Sequence, residues 1–285
     1  MKFFEILSSI FMLSCSILGI ICSLLLISVM ITARRHCTPI VVISLNTAVA
    51  GFIINTIYAS QAIYQMISDS SDVLCVFRGF LLHSSAGLFY HTLCIQAIYR
   101  LFVTVFAQRR NLQSKYVIIP IIVIQWIISS SFGIPILLTR QIRFYAEGRI
   151  CQVSINDIFG FTYLAIFIYF LPLPIIIYIY ITILRYTKRN ITIPGVRQRM
   201  VAQTRHRREL RITRRILILV FILFITGFPY AVFFLQANVY RSSLLPYGHR
   251  ISFMFIAFGQ ALGMLSTLVR TYGTKCTLLK TLSQR

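Results

Sequence analysis

Seven stretches of this chain are long and apolar enough to cross a lipid bilayer, at about residues 6–32, 39–66, 76–103, 116–138, 159–184, 212–236 and 250–272. A hydrocarbon core of roughly 30 Å is crossed by about 20 helical residues rising about 1.5 Å each. No water reaches that depth, so every segment must satisfy its own backbone N–H and C=O groups. Helices do so and open strands do not. The expected fold is all-α: an integral membrane bundle of seven transmembrane helices, one domain over residues 1–285. Composition agrees, since 58% of residues are hydrophobic and 12% charged, against about 25% charged in soluble domains. The first apolar run reaches Ile31 and ends in Arg34-Arg35. It outlasts the apolar region of a signal peptide, about 7–15 residues, and reads as an uncleaved span.

The net charge of +22 suggests nucleic acid until the charges are placed. Twenty-one Lys and Arg fall on one side of the membrane with a single acid, Glu209. The other side carries seven basic residues and five acids, Glu5, Asp69, Asp72, Glu147 and Asp157. Basic residues accumulate on the cytoplasmic face of membrane proteins, so the N-terminus is expected outside and the C-terminus inside. An odd number of spans requires the same. The charge is then topology, with anionic membrane lipid as a partner and no nucleic acid. Eleven of the basic residues lie between Arg185 and Arg215, in and just after an expected cytoplasmic loop over 185–211; a tail follows from 273.

No Cys-x-x-Cys pair, metal-spaced histidines, paired carboxylates or Ser/His/Asp grouping is present. No metal, cofactor or enzymatic activity is expected. The spans carry no mid-membrane acid of the kind that transporters and pumps use.

Landmarks recur at set spacings. Cys75 opens the third span and Arg100 closes it 25 residues later, in Tyr99-Arg100-Leu101. The first span has Gly19-Ile20-Ile21-Cys22-Ser23 and the second Leu45-Asn46-Thr47-Ala48-Val49-Ala50-Gly51. The fourth carries the one tryptophan, Trp126, and Pro135; the fifth carries Pro172 and Tyr180; the sixth reads Thr226-Gly227-Phe228-Pro229-Tyr230. Together these resemble the rhodopsin-like (class A) G-protein-coupled receptors over nearly the whole chain. The departures are Tyr99 for the acid beside Arg100, Gly51 for an Asp, Gly227 for a switch Trp, and Ser266-Thr267-Leu268-Val269-Arg270 in place of Asn-Pro-x-x-Tyr.

The resemblance implies a plasma-membrane receptor that binds an extracellular ligand of unknown identity and activates a heterotrimeric G protein. It implies a Cys75–Cys151 disulfide pinning the loop between spans four and five. It makes Pro172 and Pro229 helix hinges, and Arg100, Glu209 and Tyr180 the coupling residues, with Arg100–Glu209 a resting lock. Two solvated charges in a basic loop are the plainer reading of that pair. By family position the ligand pocket is lined by Leu82, His83, Ala86, Leu164, Ile168, Tyr230, Phe234 and Gln260. Leu82 stands where amine receptors carry an Asp, so the ligand is expected to be a non-amine, either an apolar small molecule or a peptide. His83 and His91 also fit as packing histidines with a backbone or hydroxyl partner. Gly51, Phe89 and Ser266 offer no carboxylate for a sodium ion. Cys276 suits palmitoylation or stays a free thiol. The rival reading is a ligand-gated channel-like, or other seven-span, chemosensory receptor without G-protein coupling.

The topology makes a prediction at Asn190-Ile191-Thr192, a glycosylation sequon on the cytoplasmic side. Glycosidase treatment of the chain expressed in animal cells leaves its mobility unchanged at that site, and a glycan on Asn190 would invert the assigned orientation.

Overall fold

The computed structural model describes residues 2–32, 38–67, 73–146, 148–154, 157–189, 196–239 and 247–283, with side chains except at 2, 188, 196–216, 239, 270 and 272–283. The expected bundle forms. Its helices are α1 (Lys2–Thr32), α2 (Pro39–Ile67), α3 (Cys75–Thr104), α4 (Lys115–Ser131), α5 (Ile134–Leu138), α6 (Ile158–Ala165), α7 (Pro172–Arg189), α8 (Val196–Val239) and α9 (Gly248–Ser283). Span four is α4 plus α5, broken beside Pro135, and span five is α6 and α7 joined by a π-helical turn, Ile166–Phe170.

Six of the spans are long and apolar enough to cross a membrane by composition alone. The one that is not is α3, which at 30 residues reaches about 45 Å. It buries polar residues including His83, Ser84, Ser85 and Thr92. A helix at the centre of a bundle faces protein on most sides and needs less apolar surface than one that faces lipid.

With hydrocarbon on both sides of the helix–helix equilibrium, apolar burial gives little drive to associate. Close packing and buried polar ties carry the load instead. Asn46 on α2 donates to Gln125 Oε1 at 3.1 Å and accepts from Trp126 Nε1 at 2.8 Å. Gln125 in turn donates to the Leu88 carbonyl at 3.1 Å, and Gln96 on α3 donates to Thr47 at 2.6 Å. These bonds fasten α2, α3 and α4 to one another. The lone tryptophan is thus a polar tie as well as a packing residue.

The fold departs from the expected all-α plan in one place. The loop after α5 forms an antiparallel hairpin, β1 (Ile142–Tyr145) and β2 (Ile150–Val153), with Phe144 opposite Cys151. Cys151 is disulfide-bonded to Cys75, Cα–Cα 5.3 Å. The hairpin lies directly on α3: a Cβ at Gly79 would fall 2.7 Å from the Cys151 carbonyl oxygen. Strands this short carry no periodic signal of their own.

Two helices outrun their expected ends. The segment expected as a basic loop over 185–211 is helical at both ends, α7 reaching Arg189 and α8 starting at Val196. Arg, Gln, Met and Ala are good helix formers, and beyond the headgroups nothing penalises a charged turn. In the same way α9 runs unbroken to Ser283, through the tail expected from 273.

Replacing Asn46 with Leu removes two of these ties and leaves the Trp126 indole and the Gln125 amide short of a partner. Detergent-solubilised protein is expected to lose about 1–2 kcal/mol of stability. An unchanged thermal midpoint would contradict the tie.

Candidate functional site: a tyrosine cluster under the hairpin

Span five sets the geometry of the interior. The Leu171 N–H bonds the Ile166 carbonyl at 2.8 Å, which is the π turn, and Pro172 has no N–H to give. The Phe167 carbonyl therefore lacks a backbone donor. His91 on α3 supplies one, its Nε2 lying 3.1 Å from that oxygen. A carbonyl only accepts, so Nε2 carries the proton, and Nδ1 accepts from the Ser129 hydroxyl at 2.7 Å. His91 is a packing histidine with both nitrogens engaged, tying α3 to α4 and to the π turn.

The π turn also carries Tyr169 inward, to a ring-centroid distance of 4.9 Å from Tyr90 on α3. The hydroxyls of these two rings interact, and Tyr58 on α2 and Tyr230 on α8 lie close by, on either side of Phe253. Four helical segments each send one phenol to the same region. Phe161 stacks on Phe234 at 3.8 Å and lies 5.1 Å from Tyr230, and Phe253 sits 5.9 Å from Tyr230 and 6.1 Å from Tyr58. The hairpin lies over this cluster. Tyr230 donates to Gln152 Oε1 at 3.4 Å, while the Gln152 amide nitrogen bonds His249 Nδ1.

Leu82, Ala86, Leu164, Ile168 and Tyr230 belong to one apolar cluster, and Phe234 joins Tyr230 through Phe161. Gln260 is fully buried with both amide atoms unbonded, and His83 Nε2 is buried without a partner. Phe253, Gln260 and Met264 share a face of α9, since seven residues return a helix to within about 20°. Phe253 touches Tyr58 of α2, and Met264 meets Gly51 of α2. Gln260 thus points toward α2 between those two levels.

The departures from the family pattern have structural counterparts. A Cβ on Gly51 would lie 2.3 Å from Met264 Sδ, so methionine fills the volume of the missing carboxylate. Phe89 is fully buried nearby, about 4.0 Å from a Cβ on Gly263. A Cβ on Gly227 would lie 3.2 Å from the Tyr169 ring. Tyr169, from span five, therefore occupies space beside Gly227, whereas Phe228 is 55% exposed and faces outward. Among the described residues no group of three His, Cys, Asp or Glu is placed to hold a metal ion.

At the inner end Arg100 is half-buried on the last turn of α3, Tyr99 packs on Ile43, Ile95 and Ile118, and Tyr180 of α7 is fully buried. The side chain of Glu209 lies outside the described residues, as do those of Arg205, Arg207, Arg208, Arg211 and Cys276. Pro172 begins α7 and Pro229 lies inside α8, at the two expected hinges. The family resemblance pointed to the disulfide and to both prolines. It missed Tyr169, Gln152 and His249, whose roles depend on neighbours far along the chain. The one available hint was Pro172 itself, which must orphan a carbonyl upstream.

The chain matches the family described as 7 transmembrane receptor (rhodopsin family) over residues 23–269. The crystal structure of squid rhodopsin is similar, with a TM-score of 0.78 at 16% identity, covering 99% of this chain and 88% of that one. No curated protein sequence matches. The chain belongs to the rhodopsin family of seven-transmembrane receptors, a multi-pass membrane fold of receptors and not of enzymes.

Replacing His91 with Leu returns the Phe167 carbonyl to its orphan state, at an expected cost of about 1–3 kcal/mol. Thermal unfolding checks it, and wild-type stability in the variant would show that the carbonyl has another donor.

Proposed function

We propose that residues 1–285 act as a single seven-span domain at the plasma membrane, which binds an extracellular ligand at the tyrosine cluster beneath the hairpin and activates a heterotrimeric G protein from its cytoplasmic face. The observation that carries this reading is the cluster of four phenols beneath the disulfide-pinned hairpin, in a chain of the rhodopsin family.

The lining supports a non-amine ligand. Leu82 is buried and apolar, and no carboxylate offers an ammonium group a counter-charge among the described lining residues. The phenols, His83 Nε2 and the Gln260 amide supply hydrogen bonds that orient a mostly apolar guest. Methionine against Gly51 supports the absence of a sodium effect on affinity.

Ligand contact would reach α8 through Tyr230 and through Tyr169 beside Gly227. The inner half of α8 would then swing at Pro229, which lacks the N–H that would brace the preceding turn. In the resting state Glu209, the one cytoplasmic acid, pairs with Arg100; parting them opens the cleft for the G protein. The arginines at 205, 207, 208, 211 and 214 supply a docking surface that also rests on anionic lipid.

The test is basal nucleotide exchange on a panel of G proteins, in membranes carrying wild type, Glu209→Ala or Arg100→Ala. Exchange is expected to rise with Glu209→Ala and fall with Arg100→Ala. Silence from all three at matched surface expression would reject coupling and favour the channel-like reading, which conductance recording would then examine.

A further inference from the structure

The outer ends of α1, α2 and α9 meet around a guanidinium whose hydrogen bonds are half made. Arg250 is 1% exposed. Its Nη1 donates to the Glu5 carbonyl at 2.7 Å and to the Ser8 and Ser9 hydroxyls at 3.1 and 3.3 Å. Its Nε and Nη2 are equally buried and bond nothing. These two nitrogens form one edge of the guanidinium, with parallel N–H groups spaced to match the two oxygens of a carboxylate. The third unmet atom of this region is again a donor: Gln65 Nε2, on a side chain 3% exposed whose Oε1 accepts from Ser9.

The charges point the same way. The Glu5 carboxylate gives one oxygen to the Tyr247 hydroxyl at 3.1 Å and the other to Arg149 at 3.7 Å. The Glu5 carboxylate, so engaged, makes no bond to the Nε and Nη2 edge of Arg250. A buried guanidinium with no carboxylate bonded to it is costly, and a buried N–H without an acceptor adds to that cost. An arriving anion removes both penalties at once.

The geometry points to an oxyanion-binding site on Arg250, at the junction of α1, α2 and α9, that recognises a ligand by a carboxylate or similar two-oxygen head. The inference deepens the proposed receptor function and rests on it: it gives the extracellular ligand an acidic group. It lies on the α1 side of α9, while the neighbouring His249 joins the hairpin through Gln152. The same chemistry arrives either on a free acid or on an anionic lipid headgroup.

The experiment uses the whole chain in phosphatidylcholine nanodiscs, titrated with radiolabelled decanoate and, as the uncharged control, decanol. Decanoate is expected to bind saturably at one site, about tenfold or more tighter than decanol. Arg250→Lys keeps the charge but has no two-pronged edge, and is expected to lose about tenfold in decanoate affinity. A Ser8→Ala/Ser9→Ala double variant removes two Nη1 partners and the Ser9–Gln65 bond but leaves the Nε and Nη2 edge intact, and keeps affinity within about twofold. Should Arg250→Lys fail to fold, the Nε–H resonance of Arg250 in 15N-arginine-labelled wild type serves instead, and shifts on adding decanoate but not decanol. Exchanging the lipid for phosphatidylglycerol separates the two sources. A headgroup on the site raises the wild-type thermal midpoint and blocks decanoate; a site for free acids leaves both as they were.

Equal decanoate affinity in wild type and Arg250→Lys would overturn the inference. So would no saturable uptake in phosphatidylcholine together with no effect of phosphatidylglycerol, the outcome expected if an acid of the outer loops fills the edge. The readout needs no G protein. Binding without nucleotide exchange would leave this site standing and count against coupling; exchange without binding would do the reverse.

Discussion

Hydrocarbon offers no hydrogen-bond partner, and that constraint reaches every part of this chain. It forces each span into a helix, and then makes each helix irregularity expensive until a neighbour repairs it. Pro172 and the π turn strip the Phe167 carbonyl of its backbone donor, and His91 from α3 restores one. His91 is in turn fixed by Ser129 of α4. A defect in one helix thus becomes a tie among three. Asn46 plays the matching part for α2, α3 and α4. These bonds do what apolar burial does in water, and they decide which face of each helix looks inward.

Once the faces are set, the interior has a direction. At the outer end the Cys75–Cys151 bond holds the hairpin down on α3 at Gly79. Closing that 76-residue separation is worth about 4 kcal/mol in the chain-entropy account, enough to keep the lid in place. Gln152 passes from the hairpin to Tyr230, and Tyr169 sits against Gly227 on the same helix. The two contacts straddle Pro229, Tyr230 on its outer side and Gly227 on its inner side. A disturbance of the lid or the phenols bears on α8 at the point where its backbone is least braced. The missing tryptophan is thus no gap in the packing, because a tyrosine from span five fills the space from the side.

The spans, orientation and helix-breaking prolines were legible because each leaves a mark along the chain: about 20 apolar residues, a charge imbalance, or a residue type at a set distance from another; the disulfide was legible through the family resemblance. The third span was legible through Cys75 and Arg100 more than through hydropathy, since a helix shielded by its neighbours can carry His, Ser and Gln. What stayed hidden depends on proximity. Gly227 and Gly51 read as losses, yet Tyr169 and Met264 fill those places from 58 and 213 residues away in sequence. Arg250 read as one more outer-loop charge, yet it is among the most buried side chains described. The four-residue strands were too short to alternate visibly, and the basic segment looked like a loop because charge, not helix propensity, dominates its composition.

The central claim is that α8 moves relative to α3 when the cytoplasmic face engages a G protein. Spin labels at Thr104 on α3 and Leu217 on α8, with the other five cysteines replaced and Cys75–Cys151 kept, measure that separation by pulsed electron resonance. The account predicts a longer distance when nucleotide-free G protein is added to wild type, and a smaller change when Arg100 is Ala. A distribution that stays the same with and without G protein, in a sample shown to bind it, would contradict it.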